Sequence, residues 1–303
     1  MKFLIIGSKG FIGNHLRRFL TAQHHQVWGA DVMVEYAHAE RYFLIDATNA
    51  DYHYIFQEQT FDICINCSGA ASVPDSLQHP VRDYNLNAVN VFKLLDAVRL
   101  YQPKCKFINL SSAAVYGNPQ SLPIVENAAV APVSPYGFHK RMSEQVCEEF
   151  FRFFGIATCS LRIFSAYGEG LKKQLFWDLF QKTKPADNIS LFGTGRESRD
   201  FIYIDDLVQA IYLVAQHADF KGQAVNIANG REVFIEDCVK TFYSFFDKPV
   251  KYHFMGQGRA GDPNSWVADI SNLQQLGYRQ QHDLTAGLKK YYEWIKAADS
   301  ELE

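Results

Sequence analysis

Lys2-Phe3-Leu4-Ile5-Ile6-Gly7-Ser8-Lys9-Gly10-Phe11-Ile12-Gly13 decides the fold of this chain. A short β-rich run enters three glycines at equal spacing, and an amphipathic pattern over Phe11–Ala22 follows. Glycine permits a tight turn and lets the backbone approach a pyrophosphate, which then sits on the helix N-terminus. The apolar run is too short for a membrane span and lacks the longer stretch and cleavage site of a signal peptide. It reads as the first strand of an open sheet.

The same rhythm continues outward from there. Strand-like runs fall at Lys2–Ile6, Gln26–Ala30, Arg41–Ile45, Asp62–Asn66, Cys105–Leu110 and Ile156–Arg162. Helical patterns occupy Phe11–Ala22, Tyr52–Gln59, Val81–Leu100 and Tyr136–Phe154. Continuous apolar strands alternating with helices predict an α/β fold, a doubly wound parallel sheet of Rossmann type covered on both faces. After about residue 165 the alternation weakens. Helices near 171–182, 233–245 and 284–298 mix with short strands near 189–192, 223–227 and 250–254. The expected organisation is a first domain of 1–165 plus about 200–228, and a smaller α/β substrate domain of about 166–199 plus 229–303.

Composition narrows the function classes. A chain of 303 residues with 48% hydrophobic and 21% charged content reads as soluble and globular, with ample core. A net charge of -3 gives no reason to expect nucleic acid or an anionic membrane as partner. The expected compartment is the cytoplasm. Cys64, Cys67, Cys105, Cys147, Cys159 and Cys238 fall mostly on apolar faces, as reduced cysteines do. Cys64-x-x-Cys67 has no second pair and lies on a buried strand and its exit, so it reads as structural and no metal is expected.

Asp31 ends the second strand. A carboxylate there accepts hydrogen bonds from the adenine ribose hydroxyls and repels a 2′-phosphate, which favours NAD over NADP. Lys9, inside the glycine turn, dissents, because a cation there could reach a 2′-phosphate. Asp46-Ala47, at the end of the third strand, either presents a carboxylate to the adenine edge or caps its own loop. Ser68-Gly69-Ala70-Ala71, after the fourth strand, is small enough to form a cofactor wall.

Tyr136 and Lys140 follow Ser112 and carry the chemistry. A phenol with an ordinary pKa of about 10 is a poor base at neutral pH. A lysine one helical turn away, together with a positive nicotinamide ring, makes the phenolate accessible. Ser112, at the end of the fifth strand, can bond the same substrate oxygen. The set fits oxidation of a secondary alcohol, with the hydroxyl proton going to Tyr136 and hydride to nicotinamide. A second Tyr-x-x-x-Lys, Tyr292 and Lys296, lacks this context and reads as a surface helix pair.

These residues resemble the extended short-chain dehydrogenase/reductase family, in its nucleotide-sugar epimerase/dehydratase branch. The likeness extends over nearly the whole chain. Gly7-x-x-Gly10-Phe11-Ile12-Gly13 is similar to the family's cofactor motif. Ser111-Ser112-Ala113-Ala114-Val115-Tyr116-Gly117 resembles its catalytic Ser strand and loop. Ser134-Pro135-Tyr136-Gly137-Phe138-His139-Lys140 resembles the start of its catalytic helix. Asn87 matches a helix Asn associated with active-site architecture, and Ser111 and Ile163 fall among the implied cofactor contacts. Leu161-Arg162-Ile163-Phe164-Ser165-Ala166-Tyr167-Gly168 and the segment from Gly193 to Phe201 resemble substrate-domain signatures.

The resemblance implies a nucleoside-diphosphate sugar as substrate. Arg199 and Arg259 would hold the diphosphate, Asp262 the nucleotide ribose, and Phe192 would pack near the base. Two departures stand out. Ser165 replaces the family's common Asn beside the substrate phosphates, and Asn66 replaces the usual His at the end of the fourth strand.

Ala113-Ala114 occupies the positions where similar 4,6-dehydratases carry an Asp-Glu acid–base pair, so dehydration is disfavoured. The leading expectation is a nucleotide-sugar 4-epimerase that retains NAD through a 4-keto intermediate. A 4-keto-6-deoxy-sugar reductase is the alternative, mildly favoured by Lys9 if NADPH is the donor. A catalytically silent dinucleotide-binding sensor is the reading from a different class. The long helical patterns at about 87–101 and 136–154, with Phe150, Phe151, Phe153 and Phe154, also raise the expectation of a homodimer.

Overall fold

A computed structural model describes residues 1–184, 188–256 and 263–300. The first half runs β1 (Lys2–Ile6), α1 (Phe11–Ala22), β2 (Gln26–Asp31), β3 (Tyr42–Leu44), α2 (His53–Glu58) and β4 (Ile63–Asn66). Next come α3 (Val73–Gln78), α4 (Pro80–Tyr84), a π-helical turn (Asn85–Val89), α5 (Asn90–Tyr101), β5 (Lys106–Ser112) and α6 (Pro135–Phe154). Then follow β6 (Thr158–Ile163), β7 (Ser165–Tyr167), α7 (Gln174–Lys182), β8 (Asn188–Leu191), β9 (Ser198–Arg199) and β10 (Phe201–Tyr203). The last elements are α8 (Ile204–His217), β11 (Lys221–Ile227), β12 (Val233–Phe234), α9 (Ile235–Tyr243), β13 (Lys251–Phe254), α10 (Ser271–Gln275) and α11 (Leu284–Ser300).

The main sheet is parallel, in the order β11-β6-β5-β4-β1-β2-β3. Its strands are buried along nearly their whole length, which is why their sequences read as continuous apolar runs rather than alternating ones. Chain order reverses between β1 and β4, so the turns leaving these two strands open side by side at the carboxyl edge, where such sheets bind ligands. On one face α1 buries Leu16 and Leu20 against Phe3 and Ile5. On the other, Val91, Leu94, Leu95 and Val98 of α5 join Leu4, Ile6 and Phe107. Each such side chain contributes about 1.5–3 kcal/mol on leaving water.

The expected Val81–Leu100 helix is three pieces. Pro80 starts α4, and the wide turn at Asn85–Val89 rotates Asn87 and Ala88 inward before α5 begins. The α6 boundaries follow local chemistry. Ser134 Oγ accepts from the Gly137 N–H at 3.2 Å with Pro135 at the first turn, and Gly155 ends the helix at φ 67°.

Beyond the sheet, parallel pairs β10–β7 and β13–β8 and the antiparallel pair β12–β9 build the rest. Buried Asp200 joins them, accepting the backbone N–H groups of Asn229 (2.9 Å), Gly230 (2.9 Å) and Ala268 (3.1 Å). Burial outweighs these bonds and pushes its carboxyl up to about 6. Asp200→Ala orphans all three donors, and leaving a buried donor unpaired costs about 1–3 kcal/mol. Urea denaturation should show a loss of about 3 kcal/mol or more, with a smaller loss for Asp200→Asn, which keeps one acceptor oxygen.

Candidate active site

The glycine turn follows β1 at the switch point. Gly7 adopts φ 77°, and a Cβ there would lie 2.7 Å from Ser68 N, on the loop after β4. A Cβ on Gly13 would come within 2.2 Å of Gly7 O, so α1 can start this close to the turn only with glycine at that position. Gly10 is the N-cap residue, with Phe11 and Ile12 opening the helix. Asp31 ends β2 above the same turn, its Oδ2 accepting the Lys9 N–H at 2.9 Å. Lys9 itself is tied down. Its ammonium lies 2.6 Å from Glu35 Oε2, which Arg17 also reaches at 3.3 Å. The Lys9 hydrogen bond holds the Glu35 carboxyl down to about 2.

Ser68 is anchored by Asn66, whose Oδ1 accepts from the Ser68 hydroxyl at 2.6 Å. Gly69, at φ 123°, faces the catalytic side: a Cβ there would meet Asn87 Oδ1 at 2.5 Å and Lys140 Nζ at 3.4 Å. Asp31, the glycine turn, Ser68-Gly69-Ala70, Asn87 and Lys140 thus form one continuous track along the carboxyl edge. Both amide atoms of Asn87 are buried without a hydrogen-bond partner among the described residues. A buried amide needs partners, and the hydroxyl or carboxamide groups of a dinucleotide are of the right kind. The residues present fit NAD.

Two of the expected cofactor residues are less free than the sequence suggested. Asp46 Oδ1 accepts from Thr48 N (2.7 Å), Thr48 Oγ1 (2.7 Å) and Asn49 N (3.2 Å), so it caps its own exposed loop beside Ala47. The Ser111 hydroxyl donates to Glu144 Oε1 at 2.6 Å, inside the sheet–helix interface. Ile163 is the buried last residue of β6.

The trio expected to carry the chemistry, Ser112, Tyr136 and Lys140, converges where β5 ends and α6 begins. Lys140 Nζ donates to the Leu110 carbonyl at 2.8 Å and lies 6.0 Å from the centroid of the Tyr136 ring. Ser112 Oγ accepts from Ala114 N at 3.2 Å, and its hydroxyl acts to lower the pKa of the Tyr136 phenol. Burial is the larger effect and pushes the phenol up to about 12, with the negative charge of Asp83 raising it further. Burial also lowers the Lys140 ammonium to about 8, while Asp83 opposes that shift. In the protein alone burial therefore outweighs the help from Ser112, and the phenol is held in its protonated form.

Sequence reasoning missed the supports of this trio. Tyr136 N donates to Ser76 Oγ on α3 at 3.2 Å. His139 Nδ1 donates to buried Asp83 Oδ2 at 2.6 Å, tying α6 to α4. Glu144 accepts Arg162 through two bonds of 2.9 Å. The available signals were His139 inside the Tyr-x-x-x-Lys spacing and an acidic residue facing the sheet from α6. The reading of Tyr292 and Lys296 as a surface pair needs correction, because Tyr292 is buried against Phe242, Phe245 and Phe246. A cleft of about 620 Å³ opens at the β11 edge between Glu144, Arg162 and Lys221, but Ser112, Tyr136 and Lys140 do not line it.

On the other side of the site, Ser165 pairs with Phe201 in β7–β10 and its N–H donates to the Asp200 carbonyl at 3.0 Å. Arg199 lies over the Trp266 ring at 5.5 Å and donates to the Ser198 carbonyl at 2.8 Å. Phe192 is exposed, with Lys182 Nζ 5.4 Å from its ring centroid. Arg259 and Asp262 lie outside the described residues. Cys64 and Cys67 carry thiols raised by burial, Cys67 to about 12, as inert structural thiols do.

Lys140 yields a pH test. Its ammonium titrates near 8 when folded and near its ordinary 10.5 when unfolded. The unfolded chain binds more protons in that window, so the wild type gains stability as pH rises through it. Lys140→Met has no such gain. In the nucleotide-stripped protein, its stability relative to wild type should fall steadily in urea titrations from pH 8 to pH 10.

Known proteins share this architecture. Residues 3–228 match the NAD dependent epimerase/dehydratase family. The uncharacterized UDP-glucose epimerase YtcB of Bacillus subtilis (strain 168) is 28% identical, over 91% of this chain and 92% of its own length. UDP-glucuronic acid 4-epimerase from Bacillus cereus, solved with UDP-glucuronic acid and NAD, is 27% identical. It superposes with a TM-score of 0.87 over 98% of this chain and 100% of that one. UDP-N-acetylglucosamine 4-epimerase from Methanobrevibacter ruminantium M1, solved with UDP-N-acetylmuramic acid, is 25% identical, with a TM-score of 0.87 and 98% coverage of each chain. With the glycine turn at the sheet's switch point and Ser112, Tyr136 and Lys140 gathered beside it, the chain belongs to the NAD dependent epimerase/dehydratase family.

Proposed function

We propose that this chain is a NAD-dependent nucleotide-sugar 4-epimerase. The observation that carries the reading is the meeting of Ser112, Tyr136 and Lys140 beside Gly69 and Asn87, with Ala113 and Ala114 buried on the turn after Ser112. Those alanines cannot transfer protons, which argues against water elimination and leaves redox at one carbon. Lys9 no longer favours the reductase reading, because its charge is committed to Glu35.

Tyr136 Oη takes the proton of the sugar 4-hydroxyl, and Ser112 Oγ holds the same oxygen. Lys140, fixed on the Leu110 carbonyl, keeps a positive charge on the base's side of the site and lowers the cost of phenolate. NAD, when bound, would supply the hydride acceptor, a positively charged ring, and the hydride that returns to the ketone. Between the two transfers the keto sugar must turn over without leaving. Its nucleoside diphosphate supplies the anchor, with Arg199, Ser165 and Phe192, and also Arg259 and Asp262, as the contacts that the motif match supports. The elements of 166–199 and 229–303 then act as the substrate-holding part and those of 1–165 and 200–228 as the cofactor-holding part. The UDP sugars in the names of the similar proteins support a uridine nucleotide.

A homodimer through α5 and α6 also belongs to this reading. Phe92, Leu100, Phe153 and Phe154 are exposed along these helices, whereas Phe150 packs into the monomer core. Six free cysteines support a cytoplasmic enzyme. Among the described residues no helix is long and apolar enough to cross a membrane.

Purified protein incubated with UDP-glucose, UDP-glucuronic acid or UDP-N-acetylglucosamine should yield the C4 epimer of one of them, detected by chromatography, without net consumption of NADH. Tyr136→Phe should reduce turnover about 10²–10⁴-fold while heat denaturation still releases bound NAD. Stoichiometric NADH oxidation would instead identify a reductase. Phe92→Glu with Phe154→Glu should sediment as a monomer where the wild type sediments as a dimer.

A further inference from the structure

The cluster around Glu35 is not used by the chemistry above, and it lies where the cofactor's adenosine end is expected. Asp31 bonds the Lys9 N–H directly, so the Lys9 backbone is fixed next to the carboxylate expected to face the ribose. From that position the Lys9 ammonium is a natural partner for a phosphate on the ribose 2′-oxygen. Arg17, two helical turns into α1, is a second cation on the same side.

Both cations converge on one carboxylate. Glu35 Oε2 lies 2.6 Å from Lys9 Nζ and 3.3 Å from Arg17 Nη1. Glu35 Oε1 accepts the Ala37 N–H at 3.0 Å, which fixes the side chain from its own loop. The Glu35 side chain is 5% exposed, against 27% for Lys9 and 22% for Arg17, so the anion is enclosed by its partners. The Lys9 ammonium also stands 5.8 Å from the centroid of the Tyr42 ring.

We propose that Glu35 is a cofactor-selectivity residue: its carboxylate takes the place of a 2′-phosphate between Lys9 and Arg17, so that the site refuses the phosphorylated dinucleotide. This inference rests on the NAD reading above. Asp31 repels a 2′-phosphate directly. Glu35 acts differently, by consuming the positive charge that would otherwise compensate for that repulsion. An entering phosphate has to displace an enclosed carboxylate from two cations while adding further negative charge between Asp31 and Glu35. Removing the Glu35 charge frees both cations, and Lys9 keeps its position on the turn through its backbone bond to Asp31.

The test is competitive equilibrium dialysis of NAD against NADP, with bound nucleotide identified after heat release. Wild type should retain NAD over NADP. Glu35→Gln should shift the NADP-to-NAD affinity ratio by about tenfold towards NADP, leave NAD binding itself nearly unchanged, and make NADP binding more salt-sensitive. Adding Lys9→Met to Glu35→Gln should abolish most of that shift. An unchanged ratio in Glu35→Gln overturns the inference while leaving the NAD reading intact. A wild type that prefers NADP overturns the NAD reading, and this inference with it. If Glu35→Gln fails to fold, Lys9→Met alone decides the matter. A sequestered Lys9 predicts no change in the ratio, and a loss of NADP binding would show that Lys9 was available despite Glu35.

Discussion

The hydrogen bond from the buried Lys140 ammonium to the Leu110 carbonyl ties the start of α6 to the end of β5. A charged group removed from water must find polar partners, and the end of β5 supplies one. The rest of α6 is laid down by the same logic. Ser143 accepts from Asn109 at 2.9 Å and donates back to the Lys140 carbonyl at 2.7 Å. Asn66 donates to Asn109 at 3.3 Å, so a polar chain crosses β4 and β5 before reaching the catalytic helix. Glu144 then joins Ser111 and Arg162 on the next turn. Directional bonds rather than apolar contact alone decide where α6 sits along the sheet, and with it where Tyr136 stands.

The electrostatics of the site follow from the same burial. Desolvation moves the tyrosine and the lysine in opposite directions, away from phenolate and away from ammonium. Asp83, held by His139, favours the ammonium and opposes the phenolate. Burial thus sets the tyrosine against losing its proton, while it eases proton loss from the lysine. If Tyr136 is the base proposed above, a positive charge brought beside it would favour the phenolate that burial opposes.

Much of this was legible in the chain because it is local. Lys2 to Gly13 encodes strand, turn and helix within one short segment, and Ser134-Pro135 marks the start of α6. The glycine turn, Asp31, Ser112, Tyr136 and Lys140 converge as their positions suggest. What escaped depends on partners distant in sequence. Nothing local marks Asp200 as the acceptor for three backbone amides far along the chain, or His139 as the partner of Asp83. The cation at Lys9 looked available because Glu35 lies across a turn after β2. The loop role of Asp46 was one of two local alternatives, and Thr48 decides it. Helix α8 carries few polar positions to mark a face, since Leu207, Val208, Ile211 and Val214 are all buried against the sheet. Periodicity alone does not separate such a segment from strand.

The wide turn at Asn85–Val89 has a consequence for how this enzyme can change. A π turn is an α-helical segment carrying one additional residue. Losing a single residue between Asp83 and Asn90 would restore an ordinary helix and swing everything before it by about 100° relative to α5. Asn87 would then leave Gly69 and Lys140, and Asp83 would leave His139. Substitutions at exposed Asn85 are cheap by comparison. Here segment length, rather than the identity of its outward-facing residues, is the inherited quantity, and insertions or deletions should be far rarer among functional descendants than replacements.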